Sequence, residues 1–600
     1  MREIAEQYDV VVVGGGISGV CAALASARGG AKTALLQNRA MLGGNASSEI
    51  RVNINGATRN GKIPDVAETG IMMEMLLANK AVNPQNSFDV FGMVLWEMVE
   101  QEPSLSLYLN THFTAATVQE GSIQHIQALQ TTSETIFTFA ASYFVDTTGD
   151  ATLAFESGAD WTIGREAKIT YGEAHAPELA DQHTMGSTVM FSTIDVGHPV
   201  PFTRPAWAYE FTKEKLGSRA INMTNHGYWW VELGGDDTRV IEDCENIRDE
   251  LYKWALGVFD YIKNCGEYDA ENLALDWICS NPGRRESRRV LGDYVLNEND
   301  VFEGRRFADA VAYGGWTMDD HSVGGINAMG KGEEGTQWLP VPDIYTIPYR
   351  SLYSRNISNL FVGGRACSVS HMALSSTRVI ATCGVIGQAI GTAAAIATAN
   401  GISPRAVGQQ KLFELQQQLI LDDCYLPGIA VQDATDACQQ ADCHIIASAC
   451  VHGGEAVQLT NGDTRRIKGK ENAWIAPLGA QGAWVEAEFD APTPLTQIDL
   501  KFDSNLSLPI QPTLILARVA EQPKEQPIQL VRDFALQAFL GDAVVWQTEV
   551  QNNLQRLYTQ TLPQGINCDR LRVTIHHTYG DACARVFELR MHTKTPEFLR

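Results

Sequence analysis

The N-terminal end of the chain alternates apolar runs with a glycine-rich turn. Residues 8–13 (Tyr-Asp-Val-Val-Val-Val) are a short β-branched run, which is typical of a buried parallel strand. A turn at residues 14–19 separates this run from residues 20–27, whose small apolar side chains predict a closely packed helix. Because residues 32–36 (Lys-Thr-Ala-Leu-Leu) predict a second strand, the pattern indicates a strand–turn–helix–strand unit that begins an α/β domain.

Four further apolar runs between residues 100 and 150 predict strands. They cover residues 105–109, 113–119, 123–131 and 137–146. The intervening Glu120-Gly121-Ser122 is typical of a hairpin turn, so we expect the second and third of these strands to pair.

Residues 379–399 form an almost continuous apolar run that approaches membrane-spanning length. The run contains Gln388 and a set of closely spaced glycines, Gly384, Gly387 and Gly391, and it lacks a flanking aromatic belt. Small residues at this spacing allow a helix to pack tightly against a neighbour. We therefore expect a buried helix and no membrane span.

The pattern changes after residue 430 to short runs of alternating apolar and polar residues. Such runs occur at 484–489, 497–502, 513–519 and 571–575, with Pro, Gly and Asn between them. Period-two alternation bounded by turn residues predicts half-buried strands. We expect an antiparallel β-sandwich in this part of the chain.

Composition limits the classes of partner. The net charge of −25 argues against general binding to nucleic acid or to an anionic membrane. The 600 residues are too many for one ordinary core, which predicts two or three domains. The charged start, residues 1–6, leads directly into the first strand and does not resemble a secretory signal peptide. This start predicts a cytoplasmic location.

The twelve cysteines include no CxxC pair. Cys424, Cys438, Cys443 and Cys450 are loosely clustered, and His444 stands beside one of them. We favour scattered reduced thiols over a zinc site and predict no metal centre, although a zinc site remains the alternative.

The glycine turn has the spacing that binds a dinucleotide phosphate. Gly14 permits a tight turn, Gly16 allows close approach of a pyrophosphate, and Gly19 allows the helix to pack on the strand. Ile17 and Ser18 begin the helix, whose N-terminal N–H groups favour an anion. The flanking strands make this pattern much more specific than a glycine motif alone.

Other candidate cofactor residues follow the predicted strands. An acidic residue at the end of the second strand usually binds ribose, and here uncharged Gln37 or Asn38 takes that place. A second glycine pair follows shortly afterwards, and a Thr-Gly-Asp sequence follows the strand at 137–146. Together with Val118 on the strand at 113–119, the additional residues that we assign to cofactor binding are Arg39, Gly43, Gly44, Asn45, Thr148, Gly149 and Asp150.

Three longer motifs carry a resemblance to a known family. Residues 42–51 (Leu-Gly-Gly-Asn-Ala-Ser-Ser-Glu-Ile-Arg), 285–289 (Arg-Glu-Ser-Arg-Arg) and 363–378 (Gly-Gly-Arg…His…Arg) resemble the FAD-dependent oxidoreductases. That family includes many bacterial proteins encoded near polysaccharide-degrading enzymes, and it is distantly similar to flavoproteins of the fumarate reductase and glutathione reductase type. The resemblance covers about residues 8–420.

The resemblance implies the placement of the cofactor. Gly364 and Arg365 would lie near the FAD diphosphate or ribityl chain, where Arg365 could pair with phosphate. The start of the long apolar helix, near Thr382 and Gly384, would point at the flavin pyrimidine ring and stabilise the reduced anion. Residues 43–48 contain no histidine to link the flavin, so we expect non-covalent FAD.

The resemblance also implies catalytic candidates near the reactive face of the flavin. His371 would act as a base on an alcohol while hydride leaves carbon, and Arg378 would orient the oxygen or stabilise negative charge. His321 and Arg51 are weaker candidates, as is Glu49 for substrate contact. A packed, structural histidine is the alternative for both histidines.

Residues 155–340 contain no second strand–glycine–helix motif, which argues against a separate nicotinamide-binding unit. The segment at 282–289 concentrates four arginines in an acidic protein. These arginines form either an ion-paired, solvated helix face or a group of cations near the flavin or an anionic substrate.

The predicted sandwich resembles a galactose-binding-like (discoidin-type) jelly roll at residues 472–476, 483–486 and 584–590. Such a domain binds sugar, or it packs on the catalytic domain or on a second copy in a homo-oligomer. We therefore predict an α/β Rossmann-like FAD-binding domain with an inserted mixed α+β substrate domain, plus a C-terminal all-β sandwich. The predicted boundaries are 1–155 and 341–425 for the FAD-binding parts, 156–340 for the insertion and 430–600 for the sandwich.

These motifs predict a FAD-dependent oxidoreductase that transfers hydride from an alcohol carbon of a carbohydrate or related hydroxy compound to the flavin. A sugar or glycoside is the expected small-molecule substrate. The first alternative is a flavin-dependent reductase of an activated alkene, in which Arg378 supplies the proton. The second is a non-catalytic carbohydrate-binding flavoprotein.

Overall fold

The computed structural model describes residues 1–217, 219–328, 335–440, 442–563 and 566–594. The helices are α1 (Ile17–Arg28), α2 (Ile71–Val82), α3 (Phe88–Glu100), α4 (Thr152–Glu156), α5 (Lys168–Tyr171), α6 (Lys213–Leu216), α7 (Cys244–Asn264), α8 (Glu298–Phe302), α9 (His371–Thr377), α10 (Ile380–Asn400), α11 (Pro404–Gln410), α12 (Leu412–Leu421) and α13 (Leu516–Glu521).

The strands before the sandwich are β1 (Arg2–Val13), β2 (Thr33–Leu36), β3 (Leu105–Tyr108), β4 (Thr111–Gln119), β5 (Ser122–Gln130), β6 (Thr135–Asp146), β7 (Trp161–Thr162), β8 (Ser187–Thr188), β9 (Phe191–Asp195), β10 (Glu232–Leu233), β11 (Leu273–Ile278), β12 (Gly283–Arg284), β13 (Arg289–Val290), β14 (Ala310–Gly314), β15 (Met318–His321), β16 (Thr336–Leu339), β17 (Tyr345–Pro348) and β18 (Leu360–Val362). The sandwich strands are β19 (Cys443–Ala447), β20 (Trp474–Pro477), β21 (Ala483–Pro494), β22 (Gln497–Phe502), β23 (Val531–Leu540), β24 (Ala543–Val550), β25 (Leu557–Thr561), β26 (Asn567–Thr578) and β27 (Cys583–His592).

The chain forms two compact units. The first contains residues 1–59, 86–411 and 511–520, and the second contains residues 60–85, 412–510 and 521–600. Residues 60–85 join the second unit through contacts such as those of the Arg465 guanidinium, which donates to Ala67 O and Thr69 Oγ1, each at 3.2 Å. The boundaries expected at 155, 340 and 425 stay predictions.

The main sheet of the first unit has the strand order β3-β2-β1-β6-β5-β4, and β18 pairs with β6. β1 pairs in parallel with both β2 and β6, with Val13 opposite Leu36 on one side and Asp146 on the other. β18 is also parallel to β6, and its last residue, Val362, lies opposite Asp146. The carboxyl ends of these strands therefore meet at one edge, where parallel α/β sheets bind ligands.

The strand–turn–helix–strand unit and the hairpin are confirmed. The predicted hairpin is β4 and β5, which pair in the antiparallel direction. β1 is longer than expected because its polar N-terminal half, from Arg2, continues the pairing with β6.

Helix α10 is the predicted buried helix. By length and composition it is the one helix among the described residues that could cross a membrane, but 94% of its most apolar window is buried inside the protein. Its glycines explain the close packing against α1. A Cβ added to Gly387 would lie 2.1 Å from Ser18 O, and one added to Gly391 would lie 2.1 Å from Ala22 O. Any larger residue there would force the two helices apart.

The second unit contains two antiparallel sheets, with strand orders β19-β21-β26-β23-β24 and β20-β27-β22-β25. Phe502 of one sheet and Phe534 of the other pack with ring centroids 5.2 Å apart, which joins the two sheets in one apolar core. The predicted antiparallel sandwich is therefore present.

The strand predicted at 513–519 is wrong. Residues 516–521 (Leu-Ala-Arg-Val-Ala-Glu) form helix α13, which has no buried residue. This short run contains good helix formers, and its apolar spacing does not distinguish a strand from a helix.

Candidate functional site

A cavity of about 540 Å³ opens at the carboxyl edge of the main sheet. It is lined by the residues that follow β1, β2, β6 and β18 and by the first turns of α1 and α10. Fifteen of the predicted cofactor residues line it: Gly14, Gly16, Ile17, Ser18, Gln37, Asn38, Arg39, Gly43, Gly44, Asn45, Thr148, Gly149, Asp150, Gly364 and Arg365. The volume is within the usual range of ligand sites.

The three glycines of the first loop have different physical roles. Gly14 has φ +109°, and an added Cβ would lie 2.4 Å from Thr147 O. A Cβ on Gly19 would lie 1.8 Å from Gly14 O, so Gly19 is required for packing and does not line the cavity. A Cβ on Gly16 would meet only Gly44 Cα, at 3.9 Å, and would otherwise enter the open cavity. Gly16 therefore leaves room for a ligand.

The second glycine pair lies directly against the first loop. Gly43 N donates to Gly15 O at 2.9 Å, and Gly43 has φ +108°. The Gln37 side chain fixes the same loop, since its Oε1 accepts from Gly15 N at 2.9 Å and its Nε2 donates to Met41 O at 3.1 Å. The Gln37 amide is thus engaged within the protein, whereas its neighbour Asn38 lines the cavity with an exposed side chain.

The loop after β6 is held by a buried carboxylate. Asp146 is fully buried and accepts hydrogen bonds from Thr148 N, Thr148 Oγ1 and Ala154 N at 2.7–2.9 Å. Burial raises the pKa of Asp146, against the effect of these hydrogen bonds. The loop is therefore fixed at the point where Thr148, Gly149 and Asp150 reach the cavity.

Two arginines meet Asp150 at the cavity wall. Arg284 is paired with Asp150, and Arg365 Nη2 lies 3.6 Å from its Oδ1. Within the described part of the chain, Ser18 Oγ, Arg365 Nη1 and Arg378 Nε are buried without a hydrogen-bond partner. Buried polar atoms of this kind are normally satisfied, so their position at the cavity wall points to a polar ligand.

Helix α10 meets the cavity through Ile380 and Cys383. The predicted residues Thr382 and Gly384 are buried on other sides of the helix and do not line the cavity. Residues three apart share a helix face, which is why 380 and 383 take the position expected for 382 and 384. The start of the helix faces the cavity, and its contact with the flavin pyrimidine ring stays a prediction.

Val118 also lies outside the cavity. Only the start of β4 reaches the cavity, through Thr111, His112 and Phe113, whereas Val118 is exposed and outside it. Five residues of extended chain span about 17 Å, which separates Val118 from Phe113. The sequence pattern predicts the strand, but it does not indicate which end of the strand meets a ligand.

The arginine segment at 282–289 is not a solvated helix face. It is extended and includes β12 and β13; Arg289 is fully buried and Arg285 is 8% exposed. Arg289 pairs with Glu166 at 2.7 Å, and Arg285 pairs with Glu232 at 2.8 Å. Of the four arginines in this segment, only Arg284 lines the cavity.

The catalytic candidates divide into one residue at the cavity and three away from it. Arg378 lines the cavity, and its Nη2 lies 3.3 Å from Asp319 Oδ2 and 2.8 Å from Asp319 O. Arg51 does not line the cavity; its guanidinium stacks on the Trp277 ring at 4.4 Å. His321 and His371 are also outside the lining and are 4% and 2% exposed.

Both histidines lie between carboxylates. His371 Nδ1 is 2.9 Å from Glu286, and its Nε2 is 3.1 Å from Asp320. Burial would lower the pKa of His371, but the two carboxylates outweigh burial and raise it to about 10. His321 Nδ1 is 2.8 Å from Glu232, and its Nε2 is 3.1 Å from Asp319. The surroundings of His371 favour the imidazolium, so the role of base expected for it does not suit this geometry.

Comparison with known proteins identifies a family for the part of the chain that forms the cavity. The model of the family described as FAD dependent oxidoreductase matches residues 9–419. The chain belongs to this family. A comparison with curated proteins finds no match.

This FAD dependent oxidoreductase also has similarities to solved structures over about a quarter of its length. A Streptococcus pneumoniae fucose binding module, SpX-3, is 11% identical with a TM-score of 0.20, covering 25% of this chain and 94% of that one. The family 32 carbohydrate-binding module from C. perfringens NanJ in complex with galactose is 12% identical with a TM-score of 0.19, covering 26% and 97%.

Family membership implies FAD as the cofactor of the oxidoreductase, and the cavity residues fit it. The first turn of α1 has no side-chain cap and faces the cavity beside Gly16, which suits a diphosphate. The unpaired Arg365 Nη1 and Ser18 Oγ supply further donors. Asn38 stands at the end of β2, where a ribose is expected.

Proposed function

We propose that the chain binds FAD non-covalently in a Rossmann-like domain and exchanges hydride between the flavin and an alcohol carbon of a carbohydrate or related hydroxy compound. The observation that carries the proposal is Arg378, a cation at the cavity wall close to the start of α10. FAD bound in this cavity supplies the hydride-accepting centre.

Arg378 is the residue to which we assign substrate contact. Its side chain lines the cavity and is 12% exposed, so a substrate oxygen can approach the guanidinium while Asp319 holds its Nη2. As hydride leaves the alcohol carbon, the hydroxyl proton passes to solvent at the open cavity, and the fixed cation stabilises the negative charge that develops on oxygen. His371 is assigned a positioning role, because it is buried between two carboxylates that raise its pKa.

The carbohydrate class rests on the resemblance of the sandwich to galactose-binding-like modules and on the family resemblance. The test is the visible spectrum of the purified holoenzyme, followed without oxygen while methyl glycosides and free sugars are added. Bleaching of the flavin by one sugar class supports the proposal. Retention of the oxidised spectrum with every sugar contradicts it.

A reductase of an activated alkene is the second candidate, and the state of His371 favours it. An imidazolium whose pKa is raised to about 10 is unsuited to take a proton from an alcohol at neutral pH. In this reaction Arg378 would supply the proton to carbon. The test uses photoreduced holoenzyme mixed with unsaturated carboxylic acids: rapid reoxidation of the flavin supports the candidate, and reoxidation no faster than in buffer excludes it.

A further inference from the structure

Two exposed tryptophans form a corner on the first unit. Trp229 is 39% exposed and Trp338 is 48% exposed. Their ring centroids are 6.1 Å apart, and the ring planes are nearly perpendicular at 87°. Two large aromatic side chains held together and open to solvent usually mark a binding surface.

The corner is held in place by buried polar residues. The Trp229 ring packs edge-on against His321, with centroids 5.2 Å apart. The Trp229 backbone is also fixed, since its carbonyl accepts from Arg285 Nη2 at 2.6 Å and from Thr188 Oγ1 at 2.8 Å. The position of Trp229 is therefore determined by buried groups.

Strand pairing places Trp338 on the same side as the site. β15 and β16 are antiparallel, and Trp338 lies directly opposite Asp319. Residues that are directly opposite in a pair point to the same face, so Trp338 shares a face with Asp319 and with His321 two residues later. Asp319 in turn pairs with Arg378 at the cavity wall. The aromatic corner thus adjoins the proposed reaction site.

The chemistry of the corner is mixed. The two indole rings are flat and apolar, whereas Asp319, opposite Trp338 in the strand pair, and its partner Arg378 are charged and can bond to hydroxyl groups. An entirely apolar ligand would cover the Asp319–Arg378 pair without hydrogen-bonding to it, and a strongly anionic ligand would meet the Asp319 carboxylate. A pyranose matches both parts, because one ring face presents C–H groups and the rim presents hydroxyls.

We propose that Trp229 and Trp338 form the wall against which the pyranose ring of a neutral saccharide stacks, next to Arg378. This proposal rests on the proposed function for its substrate class. Trp338 supplies the more exposed ring, and Trp229 supplies the second wall. The saccharide hydroxyls are then within the polar region of Asp319 and Arg378.

The test uses oxidised holoenzyme and four probes: the methyl β-glycosides of glucose, galactose, mannose and xylose. Binding is measured from the flavin difference spectrum and from tryptophan fluorescence, up to about 100 mM probe, where a mM Kd saturates. We expect Trp229→Ala and Trp338→Ala each to raise the Kd at least about tenfold. Trp338→Phe retains an aromatic face and should raise it less than about threefold.

Trp207→Ala is the matched control, because Trp207 is 56% exposed in the same unit and has no part in the corner. It should leave the Kd unchanged. FAD content and the melting temperature report whether each variant is folded. If an alanine variant does not fold, Trp338→Phe is the variant that is compared with the wild type. Equal Kd values for Trp207→Ala and both corner alanine variants overturn the proposal, as does the absence of saturable binding of all four probes.

The two proposals fail in different ways. If a glycoside bleaches the flavin but the corner variants keep the wild-type KM, the corner is wrong and the proposed function stands. If glycosides bind in a tryptophan-dependent manner but never bleach the flavin, the corner stands and the oxidation of sugars is refuted. A rise in KM with unchanged kcat at saturation is the expected kinetic result.

Discussion

Replacing Gly16 with valine should weaken FAD binding while leaving the protein folded. Gly16 has φ −66° and ψ 173°, a conformation that any residue adopts, and a Cβ there meets only Gly44 Cα at 3.9 Å. The valine side chain would occupy the space in which the diphosphate approaches α1. Loss of glycine at this N-cap position costs the apoprotein about 1 kcal/mol or less.

The magnitude follows from the cost of overpacking a close contact, about 1–3 kcal/mol. Because each 1.4 kcal/mol is tenfold, the Kd for FAD should rise about 5- to 150-fold. Gly19→Ala should instead destabilise the apoprotein, since its Cβ would lie 1.8 Å from Gly14 O. That variant should lower the free energy of unfolding of the apoprotein by about 3 kcal/mol or more.

The assay compares FAD per chain after purification, the Kd of added FAD from flavin fluorescence quenching, and the thermal unfolding of the apoprotein. Gly92→Ala in α3 is the control, because an added Cβ there meets nothing within 4 Å. A wild-type Kd in Gly16→Val would refute the placement of the diphosphate beside α1. So would a folding defect as large as that of Gly19→Ala, because it would show that Gly16 serves packing.

Three other predictions concern charged residues. Arg378→Ala should retain FAD but slow flavin reduction about a hundredfold, whereas Arg350→Ala, which removes a half-exposed guanidinium paired with a single carboxylate, should not; equal rates would remove Arg378 from the mechanism. His371→Ala should lower the free energy of unfolding by about 3–5 kcal/mol, because two carboxylates lose their buried partner; a change below about 1 kcal/mol in chemical denaturation would contradict this. In the sandwich, Asp433 and Asp499 raise the pKa of buried His592 from 6.5 to about 9 against the effect of burial. The stability that this histidine contributes, about 3 kcal/mol, is therefore complete below pH 6.5 and is lost as the pH rises through 9. His592→Gln should remove this alkaline loss from the melting profile, and an unchanged profile would refute the assignment.

The glycine-rich elements could be predicted from the sequence because their constraints are local. The turn at Gly14 requires a positive φ, and the glycines of α10 are required because an added Cβ would lie 2.1 Å from a backbone oxygen of α1. The carboxyl-edge position of the cavity then follows from parallel strand order. This is why most of the predicted cofactor residues line one cavity.

The surroundings of the histidines could not be predicted, because they are formed by distant parts of the chain. His371 meets Glu286, 85 residues earlier, and Asp320, 51 residues earlier. A motif indicates that a histidine is present, but its protonation depends on which charges the fold brings to it. The same reason explains the arginine segment at 282–289, whose partners Glu166 and Glu232 are far away in sequence.

Strand β15 explains why a buried histidine matters to the cavity. Its consecutive residues Asp319 and Asp320 point to opposite faces, so one carboxylate reaches Arg378 and the other reaches His371. His371 begins α9, and Arg378 is its C-cap, which means that one strand holds both ends of this short helix. Two residues after Arg378, α10 begins and turns its first residues to the cavity. Without the His371 side chain, α9 would lose its contact with Asp320, and Arg378 at the end of α9 would lose its fixed position. A catalytic defect in His371→Ala should therefore be accompanied by altered contacts with the flavin. A shifted pH profile alone would not be expected.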